Sequence, residues 1–109
     1  MTDGLKNFLI ENKELLEENK LDELYEKLFY LPFEFIQYLT KFLLSININP
    51  LNYFKEKIPY YCFCDLDISY INIPNCIEEI GFSAFWGCEK LTSIIISKNV
   101  KKNWRECFL

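Results

Sequence analysis

Residues 68–88 read Ile-Ser-Tyr-Ile-Asn-Ile-Pro-Asn-Cys-Ile-Glu-Glu-Ile-Gly-Phe-Ser-Ala-Phe-Trp-Gly-Cys, and the same pattern returns in degraded form over residues 91–108. The corresponding positions are Ile68, Ile71, Ile73, Ile77, Ile80 and Phe85 in one copy and Leu91, Ile94, Ile96, Val100, Asn103 and Phe108 in the next. Residues 58–63 form the end of an earlier copy, equivalent to 80–85. A fixed period in the low twenties is typical of a solenoid, in which each unit stacks on its neighbour. The sequence therefore predicts about two and a half stacked units.

Each copy contains the pattern of a short β-strand. Ile71 and Ile73 alternate with residues that carry polar groups, which is the period of a strand with one buried face. We predict short parallel strands near residues 69–73 and 92–96.

The residues that follow the strand are also informative. Pro74 has no N–H to donate and is expected to end the strand. Gly81 marks a place where the chain turns or approaches its neighbour closely. Phe85 and Phe108 are expected to lie in the interior of the stack.

The order Ile-x-Ile-Pro, Ile-x-x-Ile-Gly and Ala-Phe-x-Gly-Cys-x-x-Leu-Thr-Ser-Ile resembles the BspA-type leucine-rich repeat, over residues 58–109. Such repeats are known from bacterial surface proteins, protist proteins and phage-encoded proteins. The resemblance implies a protein-interaction fold without chemistry of its own. The second copy departs from the pattern, with Asn103-Trp104 in place of Ile-Gly and Ser97 in place of Pro.

The last strand is expected to have an unpaired edge, because the printed sequence ends at Leu109 soon after it. Two ways of covering that end stay open at this point. In the first, residues 101–106 act as a polar cap. In the second, another chain packs there; one such arrangement is a homodimer through the C-terminal edge.

The N-terminal half shows helical spacing instead. We predict a helix over residues 4–18 with Asp3 as its N-cap, a second helix capped by Asn19, and a third that begins near Pro32 and runs to Ile46. Asn49-Pro50 predicts a short turn through Phe54.

The expected fold class is therefore α+β. Residues 1–57 form a three-helix cap packed on a short leucine-rich-repeat β-solenoid of about two and a half repeats, residues 58–109. This layout also resembles phage-type proteins that carry such repeats.

The residue inventory argues against an enzyme. The chain has no His, the commonest general base near neutral pH. Cys62, Cys76, Cys88 and Cys107 occupy positions where the repeat takes small buried residues, and Cys62-x-Cys64 has the wrong spacing for zinc. We predict no catalytic residue, no metal and no cofactor. The net charge of −4 and the pI of about 4.9 disfavour nucleic-acid binding.

Composition also bears on location. The apolar stretch 28–46 contains Pro32, Glu34 and Lys41, so it predicts a core helix and not a membrane span. Residues 1–10 lack the apolar run of a signal peptide, and the odd number of cysteines suits reduced thiols. We expect a cytoplasmic protein without membrane contact.

Two surfaces are candidates for partner binding. Residues 1–34 carry nine acidic residues against four lysines, and the acidic face includes Glu14, Glu18 and Asp22. It is either a solvated face or a surface that steers towards a basic partner, such as a nucleic-acid-processing enzyme. The second surface consists of aromatic residues between core positions, which either anchor a partner or belong to the core: Tyr70, Phe82, Trp86 and Trp104.

These observations favour a non-enzymatic protein-binding module, in one of two versions. The first is a small phage or mobile-element inhibitor or modulator that occludes a surface of a host enzyme. The alternative is a structural or adhesive repeat protein that self-associates through its C-terminal edge.

Overall fold

The computed structural model describes residues 3–103. Within them the chain divides between Tyr53 and Phe54 into two compact units, which we call the helical half and the repeat half.

The helical half contains four α-helices where the sequence predicted three. They are α1 (Asp3–Glu11), α2 (Lys13–Glu17), α3 (Leu21–Lys27) and α4 (Glu34–Ser45). The single helix predicted over residues 4–18 is interrupted at Asn12, whose φ and ψ are −114° and 26°. The Asn12 side chain donates to Phe8 O at 2.9 Å, and its Oδ1 accepts from Lys27 Nζ at 2.8 Å. Asparagine side chains compete in this way with the regular helical hydrogen bonds.

Asn19 ends one helix and does not cap the next. Its φ is 57°, in the left-handed region. Lys20 N donates to Leu15 O at 2.8 Å and Asn19 N donates to Leu16 O at 3.3 Å, which together form a Schellman motif. The assignment of Asn19 as the N-cap of the second helix was therefore wrong. The residue before α3 is Lys20, which makes no side-chain capping hydrogen bond.

The C-terminus of α4 repeats this arrangement. Asn47 has a φ of 64°, and Ile48 N donates to Leu43 O at 2.8 Å. Beyond it, the predicted short turn is confirmed as a 3₁₀ helix, Pro50–Asn52, in which the Asn49 side chain accepts a hydrogen bond from Leu51 N.

Leucines and isoleucines at helical spacing form the core of the helical half. The fully buried members are Leu5, Leu21, Leu24, Leu28, Ile36, Leu39 and Leu43. Tyr25 and Thr40 add a buried hydrogen bond between α3 and α4, with 2.6 Å between the two hydroxyl oxygens.

The repeat half contains five short strands in two parallel sheets. They are β1 (Lys57–Ile58), β2 (Tyr70–Asn72), β3 (Glu79–Ile80), β4 (Ser93–Ile95) and β5 (Lys102–Asn103). One sheet has the order β1-β3-β5 and the other pairs β2 with β4.

The register follows the repeat. Ile71 lies opposite Ile94, which confirms the two predicted parallel strands and their offset of one repeat period. In the other sheet Ile58 lies opposite Ile80, and Ile80 lies opposite Asn103. Neighbouring units therefore pair residue by residue as the apolar period predicted.

The core of the repeat half lies between these sheets and the loops that connect them. The rings of Phe63 and Phe85 stack with centroids 5.4 Å apart and planes inclined by 7°. Ile58, Ile77 and Ile80 are also fully buried. Phe108, predicted to continue this column, lies outside the described residues.

Candidate protein-interaction surface

The loops that follow β1 and β3 take the same course. Tyr61 and Ser83 have φ values of 56° and 52°, and Asp65 and Gly87 have values of 57° and 76°. The members of each pair occupy equivalent positions of successive units, so both left-handed positions recur from one unit to the next. The sequence signals only one of the four, Gly87, because glycine adopts this conformation without penalty.

Backbone hydrogen bonds hold the two loops against each other. Phe63 N donates to Ala84 O at 2.8 Å, and Asp65 N donates to Trp86 O at 2.7 Å. Because the backbone is paired in this way, the positions of the intervening side chains are set by the stacking of the units.

These loops carry four aromatic residues, which we call the aromatic group: Tyr60, Tyr61, Phe82 and Trp86. The ring centroids of Tyr60 and Tyr61 are 5.3 Å apart, and those of Tyr61 and Phe82 are 6.0 Å apart. Phe82 and Trp86 are 43% and 45% exposed. Partial burial raises the pKa of Tyr60 above its ordinary value.

Tyr70 lies on the outward face of β2 and is 52% exposed. Ser93 and Ile95 of β4 lie next to β2 on the same exposed face, opposite Tyr70 and Asn72. Of the four aromatic residues selected from the sequence, the structure thus shows three with exposed side chains. Trp104 lies outside the described residues.

The acidic candidates lie in the helical half, and one of them, Glu18, is paired with a cation. Glu18 forms an ion pair with Lys20 at 2.9 Å, and this hydrogen bond raises the pKa of Lys20. Glu14 in α2 is exposed, whereas Asp22, in the first turn of α3, is half-buried.

Sequence reasoning missed an exposed apolar loop between α3 and α4. Phe29, Tyr30, Leu31 and Phe33 are all exposed, and the rings of Phe29 and Tyr30 meet edge to face with centroids 5.2 Å apart. The sequence does contain one signal for this loop. Pro32 interrupts the apolar run, and because the residue before a proline is disfavoured in a helix, the run does not form one continuous helix with a buried face.

Ion pairs join equivalent positions of neighbouring units. Glu78 binds Lys101 at 2.8 Å and Asp67 binds Lys90 at 3.1 Å, and each pair spans one repeat period. The hydrogen bond from Lys101 lowers the pKa of Glu78, and the same bond raises the pKa of Lys101. Glu78 therefore links one unit to the next.

The cysteines do not form a reactive or metal-binding group in the described part of the chain. Cys62 and Cys64 are buried, and the four described cysteines form no disulfide with one another. Cys88 Sγ donates to Phe63 O at 2.9 Å, and burial raises the pKa of its thiol, which disfavours the reactive thiolate. Cys76 is exposed, contrary to the expectation of a buried position. Among residues 3–103, no three His, Cys, Asp or Glu side chains are placed to hold a metal.

None of the described helices combines the length and the apolar character that crossing a membrane requires. α4 is the longest of them, at 12 residues.

Residues 56–109 match a family model described as BspA type Leucine rich repeat region (6 copies). The match begins just before β1 and includes every strand of the repeat half. The comparisons with curated proteins and with solved structures give no match.

Proposed function

Because this chain belongs to the BspA-type leucine-rich repeat family through residues 56–109, we propose that it is a non-enzymatic module that binds another protein. In this proposal the repeats form a short solenoid that presents side chains to a partner, and the chain acts in the cytoplasm by occupying the partner's surface. The packing of a helical cap on the repeats stays a prediction.

The exposure of large aromatic side chains on the repeat half is the observation that carries this proposal. Phe82 and Trp86 lie four residues apart in one loop whose backbone is hydrogen-bonded to the preceding unit. Aromatic side chains on a rigid backbone bury a large area on binding and lose little entropy, and they are enriched among the residues that dominate binding energy.

The preceding unit shows that the position of Trp86 does not need an aromatic residue for folding. Trp86 corresponds to Cys64, which is small and fully buried. The repeat therefore accommodates a small residue at this place, and the indole of Trp86 is available for a contact with another molecule.

The acidic helices supply a second, longer-range contribution in this proposal. Exposed carboxylates such as Glu14 increase the rate of encounter with a basic surface, of the kind found on nucleic-acid-processing enzymes. A small acidic protein that covers such a surface would act as an inhibitor or modulator. A mobile-element or phage origin is part of this version of the proposal.

The experiment is affinity capture from the native cell, followed by titration of the recovered partner with purified variants. Trp86→Ala is expected to weaken binding about 30-fold or more, the loss typical of a dominant aromatic contact of about 2 kcal/mol. Tyr30→Ala is the matched control, because it removes an exposed aromatic ring from the helical half and should leave affinity unchanged.

Charge reversal tests the acidic face separately. Changing Glu14, Glu18 and Asp22 to Lys should slow association and reduce its dependence on salt, with a smaller effect on dissociation. Catalytic turnover by the isolated chain, or equal partner binding by Trp86→Ala and the wild type, would contradict the proposal.

A further inference from the structure

The loop between α3 and α4 exposes a run of large apolar side chains. We define the apolar loop as residues 29–33. The side chain of Tyr30 is 90% exposed, and three further large apolar side chains of the loop are exposed: Phe29, Leu31 and Phe33. A run of consecutive exposed apolar residues is unusual unless it makes a contact, because it favours aggregation and lowers fold specificity. The apolar loop is therefore a candidate contact surface in the helical half.

Hydrogen bonds and buried neighbours hold the apolar loop in place. Leu31 N donates to Leu28 O at 3.0 Å, and Phe35 N donates to Pro32 O at 3.0 Å. Leu28 and Ile36, which flank the loop, are fully buried in the core of the helical half. The loop therefore presents its side chains from a fixed backbone, and binding through them costs little additional ordering of the chain.

Carboxylates lie on both sides of the apolar loop. Glu23 and Glu26 are exposed on α3 and lie three residues apart, so they share one face of that helix. Glu34 begins α4 directly after the loop. The only lysine between residues 21 and 34 is Lys27, whose Nζ donates to Asn12 Oδ1 at 2.8 Å. A molecule that covers the loop therefore approaches an acidic surface, and charge complementarity favours a basic partner.

The arrangement of charge distinguishes a protein partner from a membrane. Exposed aromatic side chains also occur in segments that enter the interface of a lipid bilayer, where lysine and arginine usually accompany them. The apolar loop has the opposite charge beside it, and carboxylates are repelled by the anionic lipids of a membrane surface. A basic amphipathic helix has the complementary arrangement, because its apolar stripe runs between rows of cationic side chains.

We propose that the apolar loop binds a basic amphipathic helix of another protein. In this complex Tyr30 and Leu31 contact the apolar stripe of the helix, and its lysine or arginine side chains pair with the carboxylates beside the loop: Glu23, Glu26 and Glu34. This inference goes beyond the proposed function, which uses the aromatic group of the repeat half. With both surfaces, the chain binds one protein through each half and joins the two.

A synthetic peptide is a suitable probe of this surface. The peptide contains only leucine and lysine, with leucine at helical spacing, and its binding to the purified full chain is followed by fluorescence anisotropy. The wild type is expected to bind this peptide, and Tyr30→Ala should raise the dissociation constant at least about tenfold. Trp86→Ala is the matched control, because it removes an exposed aromatic ring from the repeat half and should bind like the wild type.

Two changes of charge test the electrostatic contribution. Glu26→Gln should weaken binding and reduce its dependence on salt. A peptide with glutamate in place of lysine should not bind. A wild type that does not bind the leucine–lysine peptide, equal binding by Tyr30→Ala, or equal binding of the two peptides would overturn the proposal.

Cosedimentation with vesicles of phosphatidylcholine and phosphatidylserine tests the membrane directly. The wild type should stay in the supernatant. Sedimentation of the wild type with the vesicles, lost in Tyr30→Ala, would assign the apolar loop to a lipid surface and overturn the proposal. None of these results bears on whether Trp86 contacts the partner of the repeat half, because that contact is measured with the captured protein.

Discussion

Adding a single methyl group at Gly81 should destabilise the repeat half. A Cβ atom at this position would lie 2.6 Å from Tyr60 N and 2.7 Å from Ile58 O, both of them backbone atoms of the preceding unit. Gly81 N also donates to Ile58 O at 2.9 Å. The two units are therefore in direct backbone contact here, and no side-chain rotation relieves the overlap in Gly81→Ala.

The magnitude follows from the cost of overpacking. Separating the units enough for a methyl group weakens the hydrogen bond to Ile58 O and the packing of Ile80, which is fully buried beside it. Overpacking of this kind costs about 1–3 kcal/mol. With a urea dependence of about 2 kcal/mol per M, the unfolding midpoint should fall by about 1 M.

Tryptophan fluorescence during urea unfolding is a suitable assay. Both tryptophans, Trp86 and Trp104, belong to the repeat half, so their emission reports on that half, whereas far-UV circular dichroism is dominated by the helices. The matched control is Gly4→Ala in α1. Its Cβ would lie 3.3 Å from the Phe35 ring, a side chain that can move, and alanine favours the helix by up to about 0.5–1 kcal/mol.

We expect Gly81→Ala to lower the fluorescence midpoint and Gly4→Ala to leave it unchanged. An unchanged fluorescence midpoint in Gly81→Ala would refute the reasoning, because it would mean that the units tolerate a methyl group between their backbones.

Three further predictions concern single contacts. Phe85→Ala should lower the stability of the repeat half by about 3–5 kcal/mol in urea unfolding, because it removes a buried ring that stacks on Phe63, whereas Trp86→Ala should stay within about 0.5 kcal/mol. Glu78→Gln should remove a contribution to stability that is present above pH 4.5, the ordinary pKa of Glu78, and is lost as the pH falls through its lowered value. The unfolding midpoints of variant and wild type should therefore converge in acid, and again above pH 10.5 as Lys101 loses its proton; midpoints that stay apart throughout would count against the ion pair. Tyr25→Phe should cost about 1 kcal/mol, seen by circular dichroism, because it removes the hydroxyl bonded to Thr40; an unchanged helical transition would show that this bond contributes nothing net.

The repeat was predictable because its signal is spread over many positions. Ile71, Ile73 and their equivalents recur with one period, and a shift by one residue would turn every apolar side chain to the wrong face. The pattern also marked Gly81 as a place where the chain turns or approaches its neighbour closely, because such an approach leaves no room for a side chain.

The helix boundaries were less predictable because asparagine suits both ends of a helix. Asn19 has the side chain of an N-cap and also tolerates a left-handed φ. Its role as the end of α2 depends on which carbonyls its neighbours reach, and the local sequence does not contain that information. Asn12 interrupts the first helix for a similar reason, through hydrogen bonds to Phe8 and to the distant Lys27.

The candidate surface was also predictable only in part. Residue type alone marked Tyr70, Phe82 and Trp86 as aromatic residues outside the apolar period, but their exposure depends on how the loops stack. The exposed loop from Phe29 to Phe33 was missed, because in an apolar run the side that faces solvent is set by the packing of the helices around it.

By itself the sequence determined the repeat, its period, the positions of β2 and β4 and the residue types available to a partner, because these depend on patterns along the chain. The three short strands of the other sheet, β1, β3 and β5, were not predicted. Only the tertiary structure decided which identical side chains are covered. Ile73 and Ile96 are the same residue at the same place in the unit, yet one is buried and the other is exposed. Burial is a property of the neighbour that packs against a residue, and in a stack of repeats that neighbour comes from another unit.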